Sequence, residues 1–315
     1  MESNYDKVME VMREVQRVII GKEDSVRKAM AAILAGGHIL IDDIPGVGKT
    51  TLAMAFSQAM ALDSKRIQFT PDVLPSDILG FSMYQKQTGL FEYQPGAVMC
   101  NLFLGDEINR TSPKTQSALL EVMEEGSATV DGVTRPVPEP FIVIATENPA
   151  GSVGTQLLPE SQLDRFMICM TIGYPSLEDE IAIAKGKSNG ISVTDIPSVI
   201  TGKELMEIRR DVEQVFLHDR IYTYICELVK ATRENAWIHL GISPRGTISL
   251  VKMARAVAYM NQRDYVVPED VEDIFLDVSA HRILMNAKAR VGHMTAQKAL
   301  REILGQVDKP AAAKR

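Results

Sequence analysis

Cysteine is scarce in this chain: Cys100, Cys169 and Cys226 are the only three in 315 residues. They are odd in number, far apart and set in apolar surroundings, which excludes a disulfide framework and a zinc cluster and predicts buried, reduced thiols in a cytoplasmic protein. Long hydrophobic runs are missing too. The most nearly apolar stretch, Ala29 to Ile41, contains His38 and is too short to cross a bilayer, and the first residues mix acids with bases. Neither a membrane span nor a signal peptide is expected. Positive charge is also in deficit, with a net charge of -7 that speaks against a large nucleic-acid footprint. There is no internal repeat and no low-complexity tract.

What is present is an ordinary globular composition, 45% hydrophobic and 24% charged, long enough for one large or two modest domains. The pattern changes near residue 173. Before it, short β-type runs alternate with helical periodicity: His38 to Ile41, Arg66 to Phe69, Leu102 to Leu104, Phe141 to Ala145 and Met167 to Met170. That alternation predicts an α/β domain, a parallel sheet covered by helices, over residues 1–172. After Gly173-Tyr174-Pro175-Ser176 the periodicity is helical, as in Ile248 to Met260 and Val271 to Ile283, and predicts an all-helical domain over residues 173–315. Pro268-Glu269-Asp270 marks a helix start. Two excursions in the first part read as hairpins, Phe81 to Tyr93 around Thr88-Gly89 and Ala128 to Val137 around Asp131-Gly132.

The strongest motif is a phosphate-binding loop, Pro45-Gly46-Val47-Gly48-Lys49-Thr50-Thr51, which follows an apolar strand and opens a helix. Glycines let backbone N–H groups wrap a phosphate at a helix N-terminus. Lys49 would reach the β and γ phosphates of ATP, and the Thr50 hydroxyl would hold Mg2+. The usual pattern has glycine six residues before the lysine, where this chain has Asp43. A second apolar run, Leu102 to Gly105, ends on Asp106 and Glu107. Asp106 would join the metal shell, and Glu107 would orient and polarise the attacking water. Asn148 or Thr146, at the end of another strand, could sense the γ-phosphate. Arg165, after a short helix, could stabilise charge in the transition state or serve as a surface ion-pair partner. Arg245 opens a helix, where a cation opposes the dipole and is placed for an anion.

Taken together, these segments resemble the MoxR-type AAA+ ATPases, from about Val18 to Ile283. The match rests on Pro45 to Thr51, Asp106 to Arg110 with Pro113 to Gln116, Leu158 to Phe166, Ser243-Pro244-Arg245 and Val267 to Val271. The resemblance tolerates an acid at Asp43. It implies a P-loop AAA+ domain with a five-stranded parallel sheet and a helical lid, and homo-oligomerisation into a hexameric ring. It implies Asn148 as first sensor, Arg165 as an arginine finger acting on a neighbour's ATP, Arg245 as second sensor, and Ile19, Ile20 and Gly21 lining the adenine pocket. The excursion before Asp106 becomes the helix-2 insert. Chaperone-like remodelling or metal-cofactor insertion is the implied task, alongside a von Willebrand factor A-domain protein on a separate chain. The motor subunit of a metal chelatase, a nucleic-acid translocase and a scaffold ring without turnover stand as alternatives.

Overall fold

The computed structural model describes residues 3–147, 158–185 and 192–310. It opens with α1 (Asn4–Gln16), started by a capping box in which Ser3 and Asp6 satisfy each other's backbone, and continues into α2 (Glu23–Leu34). Val8, Val11, Met12 and Val15 form the buried stripe of α1 at helical spacing. Strand β1 (Ile39–Asp42) leads through the glycine-rich loop into α3 (Lys49–Ala59), and β2 (Ser64–Gln68) and the short α4 (Pro75–Leu79) follow. Both expected hairpins are present. The first is β3 (Gly80–Gln85) with β4 (Leu90–Pro95); then come β5 (Leu102–Asp106) and α5 (Pro113–Glu125), and the second hairpin, β6 (Ser127–Val130) with β7 (Val133–Pro136). Asp131 and Gly132 turn that second hairpin with φ of 52° and 75°, the left-handed pair that suits the twist of two antiparallel strands. Strand β8 (Ile142–Glu147), the one-turn α6 (Glu160–Leu163) and β9 (Ile168–Met170) complete this half.

The main sheet has five strands in the order β2-β5-β8-β1-β9, and every pairing is parallel. Alternation along each strand divides the core in two. Ile39, Ile41, Leu102, Leu104, Ile142 and Ile144 point to the face covered by the first three helices, while Leu40, Phe103, Val143 and Ala145 point to the face covered by α5 and the hairpin bases. All carboxyl ends lie on one edge. The phosphate loop leaves β1 there, beside the two acids at the end of β5.

The second half consists of α7 (Leu177–Ala184), α8 (Gly202–Glu213), α9 (Asp219–Glu234), α10 (Pro244–Met260), α11 (Pro268–Ser279), α12 (Ala287–Val291) and α13 (Ala296–Gln306). The lid is helical, but it also holds a two-stranded antiparallel ladder of β10 (Ile238–Leu240) and β11 (Leu284–Met285). Runs of two or three residues are too short to show a period of two, and their pairing partner lies more than forty residues away, so the sequence pattern does not reveal them. Helix α11 packs over edge strand β9, and α10 packs against α2, so one apolar core runs from the first helices into the lid.

Candidate nucleotide site

The loop between β1 and α3 depends on Gly46 and Gly48, whose φ of 87° and 94° lie in the left-handed region that side chains disfavour. Lys49 begins α3, and its ammonium donates to the carbonyls of Asp43 at 2.5 Å and Glu147 at 3.3 Å. Burial pulls the Lys49 pKa below its ordinary value, against the carboxylates of Asp43, Asp106, Asp42 and Glu107, which raise it. Asp43 has a job of its own. One carboxylate oxygen accepts from the backbone N–H groups of Ile172 and Gly173, both at 2.6 Å, and so ties the mouth of the loop to the chain leaving β9. An acid at this position is therefore a structural bracket, which a glycine could not supply.

The acidic strand end converges on the same place. Asp106 is buried and accepts from the hydroxyls of Thr50 and Thr146, each at 3.4 Å, and from Arg66 Nε at 2.7 Å. The Thr146 hydroxyl in turn accepts from the Glu107 backbone N–H at 2.9 Å. Three strands thus meet at one carboxylate. Glu107 itself has φ 58° and ψ 49°, a left-handed conformation for a residue with a side chain, costing about 1–3 kcal/mol. Arg110 donates to its carboxylate at 2.7 Å. Thr50 and Asp106 offer two hard oxygen donors side by side, a set that suits a divalent cation completing its shell with phosphate oxygens and water.

Ile19 is buried, and its Cδ1 lies 3.9 Å from where a Cβ on Gly48 would stand. Ile20 is half-buried beside it. Gly21 has φ 70°, and a Cβ there would fall 2.1 Å from the Asp179 carboxylate, so this turn is closed tightly against the start of α7. Lys22 donates to the Tyr174 carbonyl at 2.6 Å across the same junction. Of these, Ile19 borders the phosphate loop, while Gly21 and Lys22 meet the chain at the start of the helical half. Asn148 lies outside the described residues.

Glu147, paired in register with Asp42 on the neighbouring strand, is pushed up to a pKa of about 7 by burial and by the Asp42 charge. Its Oε1 is buried and has no hydrogen-bond partner among the described residues. The folded chain therefore keeps a proton that the unfolded chain releases near the ordinary value of 4.5, and stability falls as pH rises from there to about 7. Glu147→Gln removes that penalty. Its stability relative to the parent should be unchanged below the unfolded-state value and rise by about 3 kcal/mol above the folded one. Urea melts of both proteins at acid and at mildly alkaline pH check this; a difference that does not vary with pH would contradict the buried acid.

Arg165 and Arg245 come together, but at the other edge of the sheet. Arg165 Nη1 donates to the Leu120 carbonyl at 2.5 Å and pairs with Glu124 Oε2 at 3.1 Å, while Arg245 Nη2 pairs with Glu124 Oε1. Glu124 follows Met123, whose carbonyl contacts His38 Nε2 at 3.0 Å, just before β1 begins. The phosphate loop lies beyond the far end of β1, about 10 Å further on at the rise of a strand. Asp164 joins the two segments: it accepts from Ser243, the N-cap of α10, and from Arg282 Nε, both at 2.8 Å. Arg282 is 4% exposed and also donates to the carbonyls of Phe166 and Met167. Arg66, Glu124 and Arg282 carry no recognisable signal of these tasks in the sequence, since each acts through a partner distant along the chain.

Residues 38–168 match the family described as ATPase family associated with various cellular activities (AAA), and residues 230–303 match the AAA lid domain. The chain is 44% identical over 299 residues to "Uncharacterized protein YeaC" of Bacillus subtilis, covering 95% of this chain and 93% of that protein. It is 35% identical over 306 residues to "Chaperone MoxR1" of Mycobacterium tuberculosis, covering 94% and 81%. A crystal structure of a protein from Cytophaga hutchinsonii superposes with a TM-score of 0.90 at 37% identity, covering 98% of this chain and 96% of the other. The nucleotide loop, the acidic strand end and the helical lid all lie within these matches, and the chain belongs to the MoxR family of AAA+ ATPases.

Proposed function

We propose that this protein is a Mg2+-dependent ATPase that assembles into a hexameric ring and remodels partner proteins. The observation that carries the reading is the convergence of Lys49, Thr50, Asp106, Thr146 and Glu107 at the carboxyl edge of one parallel sheet. In it, Gly46, Gly48 and the α3 N-terminus take the phosphates, Lys49 neutralises them, and Thr50 and Asp106 hold the cation. Mg2+ supplies charge neutralisation across the β and γ phosphates. Glu107 accepts a proton from water while Thr146 fixes its backbone, and Asn148 serves as the first sensor. A strained glutamate at this spot favours turnover over a passive scaffold.

Arg165 and Arg245 meet at Glu124, near the amino end of β1 rather than at the phosphate loop that leaves its carboxyl end; they would serve a neighbour's ATP. A ring would bring them there, each site taking Arg165 and Arg245 from a second copy beside its own Arg66 and Arg110. The first hairpin exposes Phe81, Leu90 and Phe91, and Arg135 of the second stacks 4.0 Å over Tyr93 of the first, giving one apolar projection for a client. A relative is named a chaperone, in keeping with that reading. A von Willebrand factor A-domain adaptor on a separate chain and a cytoplasmic setting complete it; the three cysteines are free thiols, though against expectation only Cys100 is buried, Cys169 being half-buried and Cys226, on the outer side of α9, exposed. Among the described residues no helix is long and apolar enough to cross a membrane.

Replacing the ammonium tests the phosphate site. Lys49→Ala should weaken ATP binding roughly 10- to 100-fold, the scale of a lost charge-assisted hydrogen bond. Titration with a fluorescent ATP analogue reads it directly, and unaltered affinity would remove Lys49 from the site.

A further inference from the structure

Two guanidinium groups repel each other unless an anion lies between them, and here the anion is supplied by the chain itself. Glu124 gives one carboxylate oxygen to Arg165 and the other to Arg245. The arrangement is held from behind. Asp164 receives Ser243 and Arg282, so the segment bearing Arg165 and the first turn of α10 bearing Arg245 are anchored to one point. Arg165 Nε is buried and has no hydrogen-bond partner among the described residues, so its own fork is not saturated. Counting Arg165, Arg245 and Arg282 against Glu124 and Asp164, the cluster has one positive charge in excess. Its outer members are open to solvent, with Glu124 and Arg245 side chains 41% and 42% exposed. This is a preformed receptor for a group more highly charged than a carboxylate.

We propose that Glu124 is an internal stand-in for the γ-phosphate, holding Arg165 and Arg245 at the spacing a neighbour's nucleotide requires and yielding them when two protomers meet. The proposal rests on the reading of Arg165 as acting across an interface. Glu124 is then a positioning residue whose ion pairs oppose assembly. Exposed ion pairs shift an equilibrium by a factor of about 1.4 to 5 each, so releasing both should matter by roughly 2- to 25-fold. That is small enough for a phosphate to displace and large enough to measure.

The test is ATP hydrolysis against protein concentration for the full chain, Glu124→Gln and Arg165→Ala, with assembly followed by light scattering. Glu124→Gln, on an exposed helix surface, should reach half-maximal turnover at roughly 2- to 25-fold lower protein concentration while ATP binding to the separated protomer stays the same. A purely structural role would not split those two quantities. If Arg165→Ala is inactive but Glu124→Gln needs the same protein concentration as the parent, or more, the stand-in is wrong and the interface arginine survives. If Arg165→Ala hydrolyses ATP like the parent, the interface reading falls and the stand-in falls with it.

Discussion

Glu107→Gln should bind ATP like the parent chain and hydrolyse it about 10²- to 10⁴-fold more slowly, the range for losing a general base. The substitution keeps size and hydrogen-bonding atoms but removes the charge that takes a proton from water. Phosphate binding should be spared, because Lys49 and the glycine loop hold the nucleotide without it, and Thr50 and Asp106 remain to hold the metal. The backbone is the useful control. The Glu107 N–H bond to Thr146 does not depend on the side chain, and a glutamine can still accept from Arg110, so the amide variant should retain the local fold. Equilibrium binding of a fluorescent ATP analogue, with single-turnover phosphate release on the same preparation, separates the two quantities. Equal turnover in variant and parent would remove Glu107 as the group that activates water. A trapped ATP state would also hold client proteins, which makes this variant the reagent for finding them.

The elements legible in the sequence are those whose cause is local. Four of the five main strands are apolar runs on short segments, while β2, at the sheet edge, is mostly polar; the glycines of the loop announce their positive φ by identity. The hairpin turn at Asp131-Gly132 is legible for the same reason. The β10–β11 ladder is not, because its few residues are separated along the chain by α10 and α11. Within the site, Asp43 shows the limit clearly. Its departure from the loop pattern is visible, but its purpose, binding the N–H groups of Ile172 and Gly173, requires knowing that β9 lies beside β1. Glu124 is an even plainer case. On the sequence it is an ordinary acid near the end of an amphipathic helix, and only the approach of α10 turns it into the meeting point of two arginines.

Mixing two inactive variants should restore ATP hydrolysis, if the catalytic unit spans two protomers. Arg165→Ala keeps Lys49, Thr50, Asp106 and Glu107 and should bind ATP, yet turn it over about 10³- to 10⁵-fold more slowly, the effect of withholding an arginine finger. Lys49→Ala should be inactive for a different reason, since its own loop no longer neutralises phosphate, but it still presents an intact Arg165. Each fails alone. In a ring built head to tail, every site takes its loop from one chain and its arginine from the next. Random exchange of equal amounts then makes roughly a quarter of the interfaces complete, and activity should approach that fraction of the parent's. Dilution below the assembly concentration should abolish it. Arg245→Ala should complement Lys49→Ala in the same way and fail to complement Arg165→Ala, because Glu124 and Asp164 place both arginines on the same edge of the same chain and no chain in that mixture carries both. Subunit exchange must be shown independently, by fluorescence transfer between differently labelled protomers. With exchange demonstrated, a mixture that stays inactive would mean that Arg165 acts within its own chain or not at all, and the placement of both arginines at the amino edge of the sheet would need another purpose.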